Sequence, residues 1–268
     1  MRTKVTMTAL VRSELKKISS TRLWWGLLLG AMLWTGLNAG ITAGFAGIEP
    51  GAGQPATPGL DTPEAIRSVY AAAAFGGAYV FALILGITGM TQEYRYQTIT
   101  PTFLVCPRRS RVVGAKMVAH LAVGVLYGAA ALVAAVAVGA LVIGLRGYDL
   151  GFGAERLWSS MVLAVVAVAL WTLIGIGIGT FIRNQVVAIL VGILVTFLLE
   201  PLITVALNAL ELEAVGKFLP SNASSALMAP SNSFVDYLDW WAGGLVLLGY
   251  AAVLAGLGML ANIRRDVT

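Results

Sequence analysis

Charged residues are scarce in this sequence. Only 12% of its 268 residues are Asp, Glu, Lys or Arg, whereas a soluble domain carries about 25%. Hydrophobic residues make up 58% of the chain. So little charge cannot cover a water-facing surface, and the apolar content is too high for a disordered chain. The composition therefore excludes a soluble globular enzyme and indicates a polytopic membrane protein.

Cysteine and histidine each occur once. Cys106 alone excludes an internal disulfide framework and a cysteine-based metal cluster, and we interpret it as a small apolar side chain. His120 alone cannot form a catalytic or metal-binding cluster, so we interpret it as a surface-facing or hydrogen-bonded residue. We therefore predict no metal site.

Six long apolar segments account for most of the chain, and each reaches the roughly 20 residues that cross a bilayer as a helix. They are residues 23–45, 69–90, 117–145, 157–182, 186–207 and 240–263. Because backbone polar groups find no water inside lipid, helices are the economical structure for such segments. We predict an all-α polytopic membrane protein in which residues 1–268 form a single transmembrane domain.

Positive charges lie mainly on one side of the predicted spans. If both termini are cytoplasmic, only four of the 18 Lys and Arg residues fall outside: Arg67, Arg146, Arg156 and Lys217. By the positive-inside rule this bias predicts an N-in, C-in topology with six transmembrane helices. Topology and anionic lipid then explain the net charge of +5 without nucleic-acid binding. We expect a multi-pass protein of the bacterial cytoplasmic (plasma) membrane.

The N-terminal segment has an amphipathic pattern. In residues 5–20, Met7, Val11, Leu15 and Ile18 recur at helical spacing, with basic residues on other faces. This pattern predicts an interfacial helix on the inner membrane surface. The alternative is a basic flank that only sets the topology.

The cytoplasmic loop 91–116 is longer than a turn between two spans needs. Thr100 and Pro101 predict the start of a short helix, since threonine caps helices and proline suits the first helical position. The apolar tip of this helix includes Phe103 and Leu104. The basic residues that follow it are Arg108, Arg109 and Arg111. They would hold the helix at the membrane surface, where a cytoplasmic partner can contact it.

Polar residues within the spans are few. Those that could line a substrate path are Asn38, Thr42, Thr88, Thr196 and Glu200. Such a path would suit a mostly apolar or amphipathic substrate, and an intramembrane acid is a functional candidate by default. Because Glu200 adjoins Pro201, the alternative is that the span ends or kinks there and that Glu200 reaches lipid headgroups.

Glycines in the spans recur at helix-face spacing. Gly124 and Gly128 are four residues apart in the third span, and Gly175, Gly177 and Gly179 follow in the fourth. Small residues at such positions let helices approach closely. We interpret these glycines as packing positions rather than as part of a substrate path.

Two stretches carry a family resemblance. SELKKISSTRLWWGLL (residues 13–28) leads into the first span, and EYRYQTITPTFLVCPRRSRVVGAK (residues 93–116) follows the second. Together with the six spans and the partly apolar segment 208–239, they resemble permease (transmembrane) subunits of the type-2 family of ABC transporters. The resemblance covers nearly the whole chain.

The resemblance implies a role for each segment. Residues 5–20 would be the connecting helix, and residues 100–106 the coupling helix that docks into a separate ATPase subunit. Glu93 matches an acidic residue common just after the second span, and would pair with basic residues of the surface helix or of the ATPase. The extracellular segment 208–239 would hold short re-entrant helices. The residues implied in ATPase coupling are Glu93, Tyr94, Arg95, Thr100, Pro101, Phe103, Leu104, Arg108, Arg109 and Arg111.

The resemblance also implies the composition of the working complex. Two permeases, as a homodimer or a heterodimer, would associate with two ABC ATPase subunits in the lipid membrane. Closure of the ATPases would switch access between the two sides of the membrane. ATP and Mg²⁺ would bind to the ATPase, and this chain would carry no cofactor.

The sequence has no ATP-binding motif of its own. The Gly216-Lys217 pair has Glu211 where the motif G-x-x-x-x-G-K-[ST] requires glycine. The motifs G-x-S-x-G and H-E-x-x-H are also absent, which argues against a membrane-embedded hydrolase or lipid transferase. We therefore predict a non-enzymatic permease of an ATP-driven exporter. The alternative is a non-transporting membrane subunit, such as an immunity or assembly factor.

Overall fold

The computed structural model describes residues 6–48, 57–98, 109–228 and 237–265. This part of the chain is helical and contains no β-strand. Its helices are α1 (Met7–Ser19), α2 (Leu23–Phe45), α3 (Pro63–Arg95), α4 (Arg109–Leu145), α5 (Leu157–Phe181), α6 (Gln185–Ala209), α7 (Glu213–Gly216), α8 (Pro220–Met228) and α9 (Trp240–Arg265). The predicted all-α class is confirmed.

Six of these helices are long and apolar enough to cross a membrane: α2, α3, α4, α5, α6 and α9. They correspond to the six predicted spans, so the chain is a multi-pass membrane protein. The cytoplasmic location of both termini stays a prediction. Below, the α1 end of the bundle is the end at which α1 meets the last turn of α3 and the first turns of α4.

Helix α5 lies at the centre of the bundle, where it packs against α3, α4 and α9. In its most apolar stretch 72% of the residues are buried, compared with 22% in α6. Helices α3 and α5 are in backbone contact: a Cβ at Gly86 would lie 2.1 Å from the carbonyl oxygen of Thr172, and a Cβ at Gly175 would lie 2.3 Å from that of Leu83. Because only glycine fits at this distance, α3 and α5 pack backbone against backbone at these two positions.

Two spans contain a wider π-helical turn, at Ser68–Ala72 in α3 and at Val195–Leu199 in α6. The second turn immediately precedes Glu200 and Pro201. Proline lacks a backbone N–H, and its ring clashes with the carbonyl four residues earlier in a regular α-helix. A π turn is one local change that accommodates such a residue. The helix therefore continues past Pro201 to Ala209. The alternative prediction that the span ends at this proline is wrong.

The helices at the α1 end extend beyond the apolar runs. Helix α3 continues to Arg95, and α4 begins at Arg109. The linker between them is therefore residues 96–108 rather than the predicted loop 91–116. Residues 99–108, which include the predicted coupling helix 100–106, lie outside the described residues.

At the opposite end of the bundle, Arg146 closes the C-terminal end of α2. Its Nη1 donates hydrogen bonds to the carbonyl oxygens of Ala43 and Ala46, at 2.7 and 2.8 Å. The last carbonyls of a helix have no partner within that helix and carry the negative end of its dipole. Arg146 therefore joins α2 to the end of α4.

Helices α7 and α8 lie in the segment predicted to be extracellular. Helix α8 packs against α5 and α9. The indole Nε1 of Trp171 in α5 donates to the hydroxyl of Ser224 in α8 over 2.8 Å. This contact ties the short helix to the central span. Re-entry of α7 and α8 into the membrane stays a prediction.

Candidate functional site: an ion-pair cluster joining α1, α3 and α4

Helix α1 places an acid and a base on its buried side. Its N-terminus is capped by Thr6, whose hydroxyl accepts the backbone N–H of Ala9 over 3.3 Å. Lys17 lies in the last turn, where a positive charge suits the helix dipole. Glu14 is three residues earlier and therefore on the same face. Because α1 packs against α4, this face is turned towards the spans.

Four charged side chains meet where α1 crosses α3 and α4, and we refer to Glu14, Lys17, Glu93 and Lys116 as the ion-pair cluster. The Lys17 ammonium lies 2.7 Å from Oε1 of Glu14 and 2.9 Å from Oε1 of Glu93. The Lys116 ammonium lies 2.9 Å from Oε1 of Glu93 and also pairs with Oε2 of Glu14. Each base thus contacts both acids.

The cluster is largely removed from solvent. Glu14 and Glu93 are each 4% exposed and Lys116 is 2% exposed, whereas 41% of the Lys17 side chain is exposed. The charges of the two acids and the two bases cancel, which lowers the free-energy cost of burying them. Removing one partner of a buried pair leaves an uncompensated charge, which typically costs about 3–5 kcal/mol. The position of α1 on the bundle is therefore coupled to α3 and α4.

The two lysines of the ion-pair cluster differ in their hydrogen-bond partners. Burial alone would lower the pKa of Lys17, but its hydrogen bonds to Glu14 and Glu93 outweigh that effect and raise the pKa above its ordinary value. Lys17 therefore stays protonated at neutral pH. Lys116 donates a further hydrogen bond to the carbonyl oxygen of Gly89, over 3.0 Å. This bond attaches the Lys116 side chain of α4 to the backbone of α3.

One helical turn deeper, α3 and α4 are in close contact through His120. Its ring lies so near α3 that a Cβ at Gly89 would be 1.9 Å from Nε2. Nδ1 lies 2.9 Å from the carbonyl oxygen of Lys116, and no hydrogen-bond partner of Nε2 is found in the described part of the chain. The Thr172 hydroxyl of α5 donates to the carbonyl of His120 over 3.2 Å. His120 is therefore a buried packing residue, not a surface-facing one, and it connects the cluster region to the central helix.

The predicted coupling residues fall into four groups. Glu93 belongs to the cluster and pairs with Lys17 of α1, one of the two kinds of partner predicted for it. Tyr94 and Arg95 face the turn between α5 and α6: the Arg183 guanidinium lies 5.5 Å from the Tyr94 ring centroid, and Arg95 donates to Gln185 over 3.3 Å. Arg111 is exposed. Thr100, Pro101, Phe103, Leu104, Arg108 and the side chain of Arg109 lie outside the described residues.

Three of the four cluster residues, Glu14, Lys17 and Lys116, were not predicted from the sequence as site residues. Glu14 is the single acid in the basic segment before the first span, and Lys17 shares its helix face at a spacing of three. The spacing of three residues between Glu14 and Lys17 is the signal in the sequence that could have identified this pair. Lys116 directly precedes the third apolar run and is therefore the last residue of the predicted loop 91–116. Its inward position depends on α4 starting two turns earlier.

Two of the five predicted substrate-path residues form hydrogen bonds within their own helices. The Thr88 hydroxyl donates to the carbonyls of Ile84 and Leu85, and the Thr196 hydroxyl donates to that of Gly192. Glu200 is buried and does not reach the surface of the described structure. The remaining two candidates, Asn38 and Thr42, are half-buried on α2. A role of these residues in transport stays a prediction.

Comparison with known proteins identifies the family of this fold. Residues 10–199 match a family model described as ABC-2 family transporter protein. The matched region includes the whole ion-pair cluster and the first four spans with most of the fifth. A search of curated proteins found no significant match. Membrane subunits of this family are typically non-catalytic and generally partner with an ATPase subunit. The chain therefore belongs to the ABC-2 transporter family, as a membrane-spanning permease.

Proposed function

We propose that this chain is the permease subunit of an ATP-driven exporter of an amphipathic or hydrophobic substrate in the bacterial cytoplasmic membrane. A separate ABC ATPase, present in two copies, binds ATP and Mg²⁺ and supplies the energy. A second permease, identical or different, completes the pore. The coupling contacts come from the linker 96–108 and from neighbouring residues such as Arg111.

The observation that carries this proposal is the ion-pair cluster. Glu93 lies in the last turn of α3 and Lys116 about two turns after the start of α4, so the two residues flank the linker on either side. Both pair with α1. A force applied to the linker therefore acts on α1, α3 and α4 together rather than on one helix.

Contacts deeper in the bundle extend this path. Lys116 bonds to Gly89, His120 packs on Gly89, and Thr172 bonds to His120. Thr172 belongs to α5, whose backbone is in contact with α3 at Gly86. The cluster is thus joined by successive contacts to the most buried pair of spans, which supports transmission of motion from a cytoplasmic ATPase to the transport path.

The first experiment purifies the full-length chain from its native membrane and measures ATP hydrolysis by the complex. We expect an ATPase subunit to co-purify and hydrolysis to require Mg²⁺. The double variant Phe103→Ala/Leu104→Ala removes the predicted apolar tip, and Glu93→Gln removes the shared acid of the cluster. Each is expected to lower substrate export or the linked ATP turnover by about fivefold or more, as loss of a typical coupling energy would.

The matched control is Glu213→Gln, which removes an exposed carboxylate far along the chain in α7. It should leave turnover and export unchanged. Purification without any ATPase would instead favour the non-transporting alternative. Unchanged turnover in the Phe103→Ala/Leu104→Ala variant would show that the coupling prediction is wrong.

A further inference from the structure

Glu200 is a buried acid that the ion-pair cluster does not use. It lies in α6, is 4% exposed, and accepts hydrogen bonds at Oε2 from the backbone N–H of Ser221, over 3.0 Å, and from the Ser221 hydroxyl. No ion pair of the described residues includes Glu200. A buried carboxylate without a cation is costly in an apolar protein. An ionised Glu200 would therefore carry a negative charge that no ion pair within the described residues balances.

Aromatic side chains gather beside this acid. The ring of Tyr79 stacks on Phe75 at 4.9 Å between centroids, meets Trp171 edge-on at 4.9 Å, and lies 6.2 Å from Phe197. Trp171 bonds to Ser224, one helical turn after Ser221 in α8. The aromatic group and Glu200 thus border the same short helix.

Two phenol groups lie within electrostatic reach of the Glu200 carboxylate. They belong to Tyr79 of α3 and Tyr250 of α9. Both tyrosines are half-buried, and Phe197 is 57% exposed. One side of the aromatic group is therefore open to a molecule that enters between the spans or from the lipid.

We propose that Glu200 and the aromatic side chains around Tyr79 form a recognition site for a hydrophobic organic cation that carries a quaternary or protonated amine and at least one ring. The inference rests on the proposed function, because it names the substrate class of that permease. Aromatic faces carry a negative quadrupole and attract cations, most strongly where water is excluded. The carboxylate supplies the full charge, and the rings supply apolar contact for the rest of the molecule.

Ser221 fits this assignment as a positioning residue. Its two hydrogen bonds go to Oε2, and a carboxylate can accept more bonds than these two. Ser221 therefore fixes the direction of the Glu200 side chain without neutralising it. If Glu200 served only to hold α8, an uncharged acceptor at this position would serve equally well. That difference makes the proposal testable.

The test measures equilibrium binding to the full-length chain in lipid nanodiscs, with no ATPase present and with binding to empty nanodiscs subtracted. The probes are tetraphenylphosphonium and tetraphenylborate, which have nearly the same size and shape but opposite charge. We expect saturable binding of the cation and none of the anion. Equal binding of the two ions to the wild-type chain would overturn the proposal, and this comparison needs no variant.

Variants then locate the site. Glu200→Gln keeps an acceptor for Ser221 but removes the charge, and should weaken cation binding by at least about tenfold. Tyr79→Leu, which removes the ring, should also weaken it, whereas Glu213→Gln should keep it within about threefold. Wild-type affinity in Glu200→Gln would show that the acid only anchors α8. Because no ATPase is present, failure here leaves the co-purification test of the proposed function unaffected.

Discussion

At the scale of single residues, Lys116 has the most consequential position. Its ammonium group contacts two carboxylates and one backbone carbonyl, which belong to α1 and α3. A buried lysine is stable only when such partners are present. Lys116 is therefore the residue through which α4 holds both of its neighbours at the α1 end.

Replacing Lys116 by methionine removes this base while keeping the length of the side chain. We expect the free energy of unfolding to fall by about 3 kcal/mol, because Glu14 and Glu93 are left with Lys17 alone. The double variant Lys116→Met/Glu14→Gln restores neutrality, so it should lose less than the sum of its two single variants. Thermal unfolding in detergent, followed by tryptophan fluorescence, measures these losses, with Glu213→Gln as the control. Additive losses would contradict a coupled cluster.

The sequence could predict Glu93 but not its complete surroundings. Glu93 matched a family pattern and stood at the end of an apolar run, where an acid is conspicuous. Glu14 and Lys116 are 102 residues apart in the chain, and their contact depends on how α1 lies across the bundle. No periodicity in either segment encodes that crossing.

At the scale of helices, close packing depends on glycines that follow no repeat as well as on those that do. Gly124 and Gly128 face α5 as their spacing predicted: a Cβ at either position would lie 2.8 Å from a Cα of that helix. In α3, no glycine lies four residues before or after Gly86. It nevertheless lies at the backbone contact with α5, which only the packed structure reveals.

Substituting Gly86 by alanine tests this contact. The added Cβ would lie 2.1 Å from the Thr172 carbonyl oxygen, so α3 and α5 must move apart, at a cost of about 1–3 kcal/mol or more. Gly76→Ala is the matched control, because a Cβ at Gly76 meets no atom within 4 Å, and alanine there should be neutral or stabilising by up to about 1 kcal/mol. Melting temperatures of the two variants in the same detergent provide the comparison. Equal effects would rule out the close contact.

Helix ends were predicted less well than helix identities. Apolar runs locate each of the six spans, but α3 and α4 continue past them because Glu93 and Lys116 find partners inside the helical structure. Pro201 suggested an end to the fifth span, and the π turn before it allows the helix to continue. Both differences arise from local hydrogen bonding that hydropathy does not measure.

At the scale of the whole molecule, the distribution of basic residues predicts which end faces the cytoplasm. The α1 end holds the linker 96–108 and the exposed Arg95 and Arg111. The opposite end holds Arg67 and Arg146, which are bonded to backbone carbonyls of neighbouring segments. Two of the four basic residues on the predicted outer side, Arg67 and Arg146, therefore stabilise contacts between segments of the fold.

Cysteine labelling in intact cells tests the predicted topology. A membrane-impermeant maleimide should label Glu213→Cys in a Cys106→Ser background, because residue 213 is exposed and lies in the predicted extracellular segment. The native Cys106, predicted to be cytoplasmic, should react only after the membrane is permeabilised. Reaction of Cys106 in intact cells, with protection of residue 213, would reverse the topology.

The ion-pair cluster also imposes an order on biosynthesis. Glu14 and Lys17 leave the ribosome long before Glu93, and Lys116 follows only as the third span is made. Until that moment the two acids share one base, so the neutral set that fixes α1 cannot exist on a shorter nascent chain. Seating of the N-terminal helix therefore waits for the start of the third span, although this helix is the first to be synthesised.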